Sequence, residues 1–397
     1  MNMYTQLEGL KKTIKQHIMK KIISLLIFLL FIFSLNAQER KKHFFNGKLI
    51  SIGNYKNGSK TGKWDFYRKD GQIKETGNFE NGERIDEFKY YDGYGNIDLT
   101  VTYENGVRNG VWKTYYENGK LKEIGHYKYD LRIGEKKDFY KNGQLLLIGL
   151  YENDLKSGDW KFYYENGSLY EIGTFNEYDE KDGEWKEYYK NGELKATGKF
   201  KNDKKSGQWK FYYDTRQIHG IGEFIKGVQN GEWKVYYKNG QIQEIANYVN
   251  RQKTGVRKVY HQNGQLASIV GFKNGEFEGE GKQYYENGQL ASITEYKGGK
   301  AEGERKQYYE NGQLQWIGNY DNGYTTGEWK QYYGNGQLHQ IRLWENGKLM
   351  DIISCLNTQG KPIDKGTLVN GDGTVNIYDN NGSLIKVESY INGVKKE

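Results

Sequence analysis

The chain has 397 residues, with 52 Gly and 36 Tyr against one Pro, one Cys and 4 Met, and only 36% of it is hydrophobic. This composition suits strands and tight turns and excludes long amphipathic helices as the main architecture. The formal net charge is +8, but residues 1–37 hold five Lys and one Glu, so the rest is near balance at +4, without the basic excess that nucleic acid or an anionic bilayer selects.

From Met19 the chain reads Met19-Lys20-Lys21, then an apolar run from Ile22 to Phe33, then Ser34-Leu35-Asn36-Ala37 before Gln38. A basic start, a short apolar stretch and a small residue at its end make a signal-peptide pattern. The run is about 12 residues, short of the ~20 that a spanning helix needs, so residues 1–37 are expected to be an N-terminal extension and signal peptide. Translation would then start at Met19 rather than Met1, and cleavage would follow Ala37. The expected location is periplasmic or secreted, with envelope association open. No Cys follows the run to carry a lipid. Cys355, the lone thiol, has no internal partner and is expected to be a buried, inert side chain.

Residues 38–350 repeat one sentence, typified by Gly158-Asp159-Trp160-Lys161-Phe162-Tyr163-Tyr164-Glu165-Asn166-Gly167-Ser168-Leu169 and closing on Ile172-Gly173-Thr174-Phe175. The residue two before the Trp column falls at 62, 86, 110, 134, 158, 183, 207, 231, 255, 279, 303 and 327, a period of 24 with a single step of 25. Such a period means stacked structural units. A half repeat, Gly47 to Tyr55, opens the array.

Asn-Gly between two aromatic or apolar runs signals a hairpin, most simply a two-residue type I′ loop. It recurs at Asn118-Gly119, Asn142-Gly143, Asn166-Gly167, Asn191-Gly192, Asn239-Gly240 and onward to Asn335-Gly336, with Asp70-Gly71 as a near-equivalent and Thr215-Arg216 as the departure. A second turn, as at Asn57-Gly58 or Asn274-Gly275, joins each hairpin to the next. Counting outward from a two-residue loop sets Tyr164 opposite Leu169 and Trp160 opposite Gly173. It also puts the Leu169 and Phe175 columns on the Trp face and the Ile172 column on the other. Trp64, Trp112, Trp185 and Trp209 would likewise face Gly77, Gly125, Gly198 and Gly222, while Phe88, Arg257 and Gly281 would face Val101, Val270 and Thr294. Lys136 with Gly149, Arg305 with Gly318 and Trp329 with Arg342 break this rule. The expected fold is all-β: an elongated, single-layer antiparallel β-hairpin repeat array of about 12 to 13 repeats of 24 residues. Residues 351–397, with the only proline, Pro362, and a final hairpin, are expected to cap the last sheet edge.

Chemistry-bearing patterns are sparse. The six His, at 17, 43, 126, 219, 261 and 339, have no metal-ligand spacing, and no nucleophile elbow, Cys-His pair or phosphate-binding glycine loop occurs. No metal, no cofactor, no catalytic residue and no nucleic-acid partner is expected. Glu165, Glu286 and Glu310 alternate with Lys190 and Lys238 before the turns and read as solvated. The Trp160 and Phe175 columns read as packing. Two features remain as partner-binding candidates: the outward tyrosine column, Tyr163, Tyr188, Tyr236, Tyr284 and Tyr308, and the stretch where Trp gives way to Arg257, Gly281 and Arg305.

The run Gly-x-Trp-Lys-x-Tyr-Tyr-x-Asn-Gly-Gln-Leu, as at Gly231 to Ile242 and Gly327 to Leu338, resembles the variant class of MORN repeats of bacterial proteins over nearly all of residues 38–350. The closing Tyr378 to Lys386 is similar to the ends of chains labelled YwqK-family antitoxins. The resemblance implies a β-hairpin rod (a MORN-type solenoid) used for protein association or membrane contact, and it transfers no catalytic residue. The expected function is an exported, non-enzymatic scaffold for a protein partner. The alternatives are a membrane-lipid or cell-wall glycan binder, and an antitoxin that neutralises a toxin by direct binding.

Overall fold

The computed structural model describes residues 3–35, 39–379 and 382–396. Its one helix spans Met3–Leu35. Among the described residues no helix is long and apolar enough to cross a membrane, and the cleavage point expected after Ala37 lies outside them. The chain divides into two compact units, Met1–Ser168 with Phe175–Asp179, and Leu169–Thr174 with Glu180–Glu397. Everything from Glu39 to Cys355 is strand and tight turn, and the strands belong to one antiparallel sheet of 27. The all-β hairpin array read from the period is therefore the fold.

The two turns of each repeat differ in a way that the dipeptide Asn-Gly conceals. The turn between hairpins is the type I′ loop: Asn57 and Gly58 both have positive φ (50° and 80°), as do Asn274 and Gly275 (52° and 85°). The turn inside each repeat is longer. Tyr189 N–H donates to Glu193 O at 2.8 Å and Gly192 N–H to Tyr189 O at 2.9 Å, and of the three loop residues only Gly192 is left-handed, at φ 87°. The expected two-residue loop is thus a three-residue loop closed by a left-handed glycine. Asn191 gains its place differently: its Oδ1 accepts Glu193 N–H at 3.0 Å, holding the turn from the side chain. At the departure Thr215-Arg216, Arg216 itself takes the left-handed position, at φ 74°.

A bulge follows the turn and corrects the face assignment. Tyr212 pairs with Ile218, and Phe211 with Gly220, so His219 is the extra residue. The tyrosine opposite the Leu169 column is therefore that of the Tyr163 column, and the Leu column shares a face with Tyr163 and Ile172, not with Trp. The longer loop and the bulge cancel in the count, so the Trp register stands as expected: Trp64 pairs with Gly77, Trp185 with Gly198, Trp209 with Gly222 and Arg257 with Val270.

The ring, however, seats itself on the preceding repeat. A Cβ on Gly198 would lie 2.3 Å from the Trp209 ring, and one on Gly222 2.0 Å from the Trp233 ring. The left-handed glycine two residues before each Trp, such as Gly207 at φ 65°, bulges the strand and turns the indole onto that backbone. This resolves two exceptions to the small-opposite-large rule. Gly149 and Gly318 are glycine because they seat Trp160 and Trp329 of the next repeat, whatever faces them in their own. Arg342 is followed by Ile352 instead of a Trp and needs no such gap. Where Val101 fills the seat, Trp112 leans the other way, toward Gly125.

The strand Lys348–Cys355 ends the large sheet, and the strands Gly373–Tyr378, Leu384–Ile391 and Val394–Lys395 form a second sheet beside it. Gly371 N–H donates to Met350 O at 2.8 Å, and Leu349 N–H to Gly393 O at 3.1 Å, so C-terminal residues bond to the last strand of the large sheet. Leu349, Ile352, Leu368 and Val375 form the buried core there. Cys355 is buried beside it, and burial pushes its thiol up to about 11.

Candidate functional site: an interruption of the tryptophan face

The tryptophan face is a packed surface. Trp64, Trp160, Trp185 and Trp209 are almost fully buried. Around Trp209, Phe200 and Phe224 stand edge-on at 5.3 and 6.3 Å, Phe211 stacks at 6.1 Å, and Lys205 Nζ lies 3.9 Å over the ring. The indole N–H donates to Lys199 O at 3.0 Å. This arrangement is core, as the pattern of the Trp and Phe columns implied.

Between residues 257 and 305 the tryptophan column is interrupted, and Trp329 resumes it. Along one row of the sheet lie Arg257, Val270, Gly281, Thr294 and Arg305. The two neighbouring columns vary along the chain, and in this stretch they carry Gln283 and Gln307 beside Ser268 and Ser292. The result is a cavity of ≈ 100 Å³ lined by Arg257, Gly281, Ser268, Ser292, Thr294 and Tyr296, among others. Sequence reading found the lost Trp but missed these serines and glutamines. Both columns vary throughout the array, and only the pairing of Ser268 with Gln283 and of Ser292 with Gln307 places these side chains together.

The two arginines are not equivalent. Arg257 is engaged: its Nε and Nη2 donate to the two oxygens of Glu244 at 3.0 Å each, and Lys253 Nζ adds a third bond at 2.9 Å. Hydrogen bonding to Glu244 raises the pKa of Arg257. Burial works against ionisation of Glu244, but the bonds from Arg257 and Lys253 outweigh it and leave its pKa lowered. Arg305 stands in the same repeat position, and 13 residues before it, where Arg257 has Glu244, there is Ser292. Among the described residues no acid pairs with Arg305. Its Nη1 donates to the Tyr320 hydroxyl at 3.2 Å, and its buried Nε has no partner.

The tyrosine candidates lie on the opposite face, so the structure does not unite them with Arg257, Gly281 and Arg305. Tyr163, Tyr188, Tyr236, Tyr284 and Tyr308 are all half-buried. Tyr188, Tyr236, Tyr284 and Tyr308 pair with Leu194, Ile242, Leu290 and Leu314. The other tyrosine of each doublet has a structural duty that the sequence did not reveal. Tyr140, Tyr213 and Tyr285 donate their hydroxyls to the carbonyls of Tyr163, Tyr236 and Tyr308 in the next repeat at 2.7, 2.7 and 2.6 Å. Beside the tyrosine face runs a lysine column held by acids two residues earlier, as in Lys137–Glu135 at 2.5 Å and Lys282–Glu280 at 2.5 Å. Among the described residues no group of three His, Cys, Asp or Glu is placed to hold a metal.

A family model described as the MORN repeat variant matches residues 39–57, 108–129, 132–153, 156–177, 181–202, 229–250, 253–274, 277–297, 301–322 and 325–346. No curated protein matches the chain. Solved structures similar to it include that of TcdB2-TccC3-Cdc42, at 12% identity and TM-score 0.17 over 89% of this chain and 23% of that one. Another is the Photorhabdus luminescens Tc holotoxin pore with the TccC3-D651A mutation, at 14% identity and TM-score 0.16 over 88% and 18%. The chain thus spans about a quarter or less of the length of these two.

Proposed function

The chain belongs to the MORN repeat variant family, whose repeats are interaction modules, and on that premise we propose that it is a non-enzymatic scaffold that binds another protein across the interrupted tryptophan face. The observation that carries this reading is the row Arg257 to Arg305, where the large buried ring is withdrawn and hydroxyl, amide and guanidinium groups surround the ≈ 100 Å³ cavity. A packed repeat has no need of that opening, and a partner's side chain does. Export by the N-terminal segment completes the proposal and places the partner outside the cytoplasm.

A lipid surface is supported less well, because much of the lysine column that would face anionic headgroups is paired with glutamates, as at Lys234, Lys282 and Lys306. The test is capture. The immobilised chain is exposed to a solubilised envelope extract, and protein, lipid and glycan in the eluate are measured. A reproducible protein supports the scaffold, and identification of that protein as a toxin would narrow it to the antitoxin form. Lipid or glycan without protein would replace it.

A further inference from the structure

We propose that the cavity beside Gly281 takes a primary-amide side chain, Asn or Gln, of the partner protein, and the proposal rests on the scaffold reading above. The shape of the cavity follows from three parallel rows of the sheet. The middle row, Val270, Gly281 and Thr294, forms a low floor, because no ring rises from Gly281. On one side stand Ser268, Gln283 and Ser292, and on the other Phe277 and Tyr296, whose ring centroids are 5.2 Å apart. One wall is therefore polar and the other aromatic. A carboxamide has the same two aspects, a flat face that lies against rings and an edge that both donates and accepts hydrogen bonds.

The polar groups of the cavity have unused capacity. Ser292 Oγ donates to Gln283 Oε1 at 3.2 Å, and the Gln283 amide keeps its two N–H donors. Among the described residues the hydroxyls of Ser268 and Thr294 bond to nothing, and neither oxygen is sealed from solvent. Thr294 is only 7% exposed and lines the cavity, so its hydroxyl opens into it. Charge argues against an acidic or basic ligand: Arg257 and Lys282, the charged residues of the lining, are held by Glu244 and Glu280, so an anion finds no free cation and a cation meets Arg257. Size argues against a ring. The ≈ 100 Å³ equals about three waters at ~30 Å³ each, room for a carboxamide with its methylene, whereas a cavity of about 150 Å³ encloses benzene.

The experiment follows the methyl resonances of Val270 in the full chain, assigned with Val270→Ile, during titration with propionamide, the analogue of a Gln side chain. Propionate and butanone serve as comparisons, since they match its shape but carry a charge or lack the N–H donors. Propionamide is expected to shift the resonances saturably, in the millimolar range normal for so small a ligand. It should bind about tenfold more tightly than either comparison, the worth of one or two hydrogen bonds. Thr294→Val removes the open hydroxyl and keeps the volume, so it should weaken propionamide about tenfold and leave the urea unfolding midpoint close to that of the wild type. No saturable shift, equal affinity for propionate or butanone, or undiminished affinity in Thr294→Val would each overturn the proposal. Capture separates the two levels: a partner held equally by the wild type and Thr294→Val overturns the amide site alone, whereas a wild type that captures no protein overturns the scaffold.

Discussion

At Gly281 the chain exchanges the two halves of a fit that most repeats keep in order. Apart from Trp112, each Trp of the column is seated on a glycine of the preceding repeat; here Val270 occupies the seat and Gly281 the place of the ring. A Cβ on Gly281 would come within 3.2 Å of Val270 Cγ2 and 2.8 Å of the Tyr296 ring. Gly281→Trp alone should therefore overpack the site and cost about 1–3 kcal/mol, while Val270→Gly with Gly281→Trp should restore the standard pair and recover most of that loss. Urea unfolding midpoints of the two variants check this, and a double variant no more stable than Gly281→Trp would contradict it.

His339 sets a pH dependence at the same scale. It is buried, stacked on Tyr333 at 4.3 Å, and faces the positive charge of Arg342; burial first and that charge second push its pKa down to about 4. The unfolded chain, with a histidine near 6.5, binds the proton that the folded chain refuses. Stability is thus fully present above about 6.5 and falls as the pH drops from 6.5 toward 4. Glu388, whose pKa is lowered from 4.5 to about 2 by bonds from Lys386, Lys395 and Tyr390 against its burial, adds a loss as the pH falls from about 4.5 toward 2. Thermal melts between pH 7 and 5 should show the midpoint falling in the wild type and nearly flat in His339→Gln.

At the scale of the repeat, the tyrosine doublet divides its work between side chain and backbone. The Tyr213 hydroxyl bonds the Tyr236 carbonyl, so Tyr213→Phe leaves that carbonyl without its partner and should cost about 1 kcal/mol. Tyr236→Phe keeps the same bond, since its acceptor is main chain, and should cost less than half as much. Equal losses in denaturant unfolding would refute the staple. The doublet also marks the limit of what the chain's pattern discloses. Tyr213 and Tyr236 are alike as letters, and only the turn geometry decides which one reaches the next repeat. The 24-residue period, the two strands per repeat and the Trp register were legible because glycine, aromatic and turn residues recur in phase. The face of the Leu169 column was not, because the bulge at His219 and its equivalents breaks the alternation that the count assumes. The cleft was half legible: Arg257, Gly281 and Arg305 stand out as departures from Trp, but the neutralisation of Arg257 by Glu244 depends on a strand pairing that sequence distance hides.

At the scale of the molecule, the regularity of the array throws its one large interruption into relief. Ion pairs between exposed lysines and glutamates recur on the tyrosine face and contribute little each, and the tryptophan face is closed by its own rings wherever Trp is present. A partner that reads this chain therefore has the Arg257 to Arg305 row as its distinctive feature. The most direct test is to compare capture from an envelope extract by the wild type and by the stable Val270→Gly, Gly281→Trp double variant, with the eluted protein quantified. The account predicts a protein partner held by the wild type and reduced at least about tenfold when the cleft is filled, as loss of a central anchor pocket does at other interfaces. Equal recovery by the two chains would contradict it.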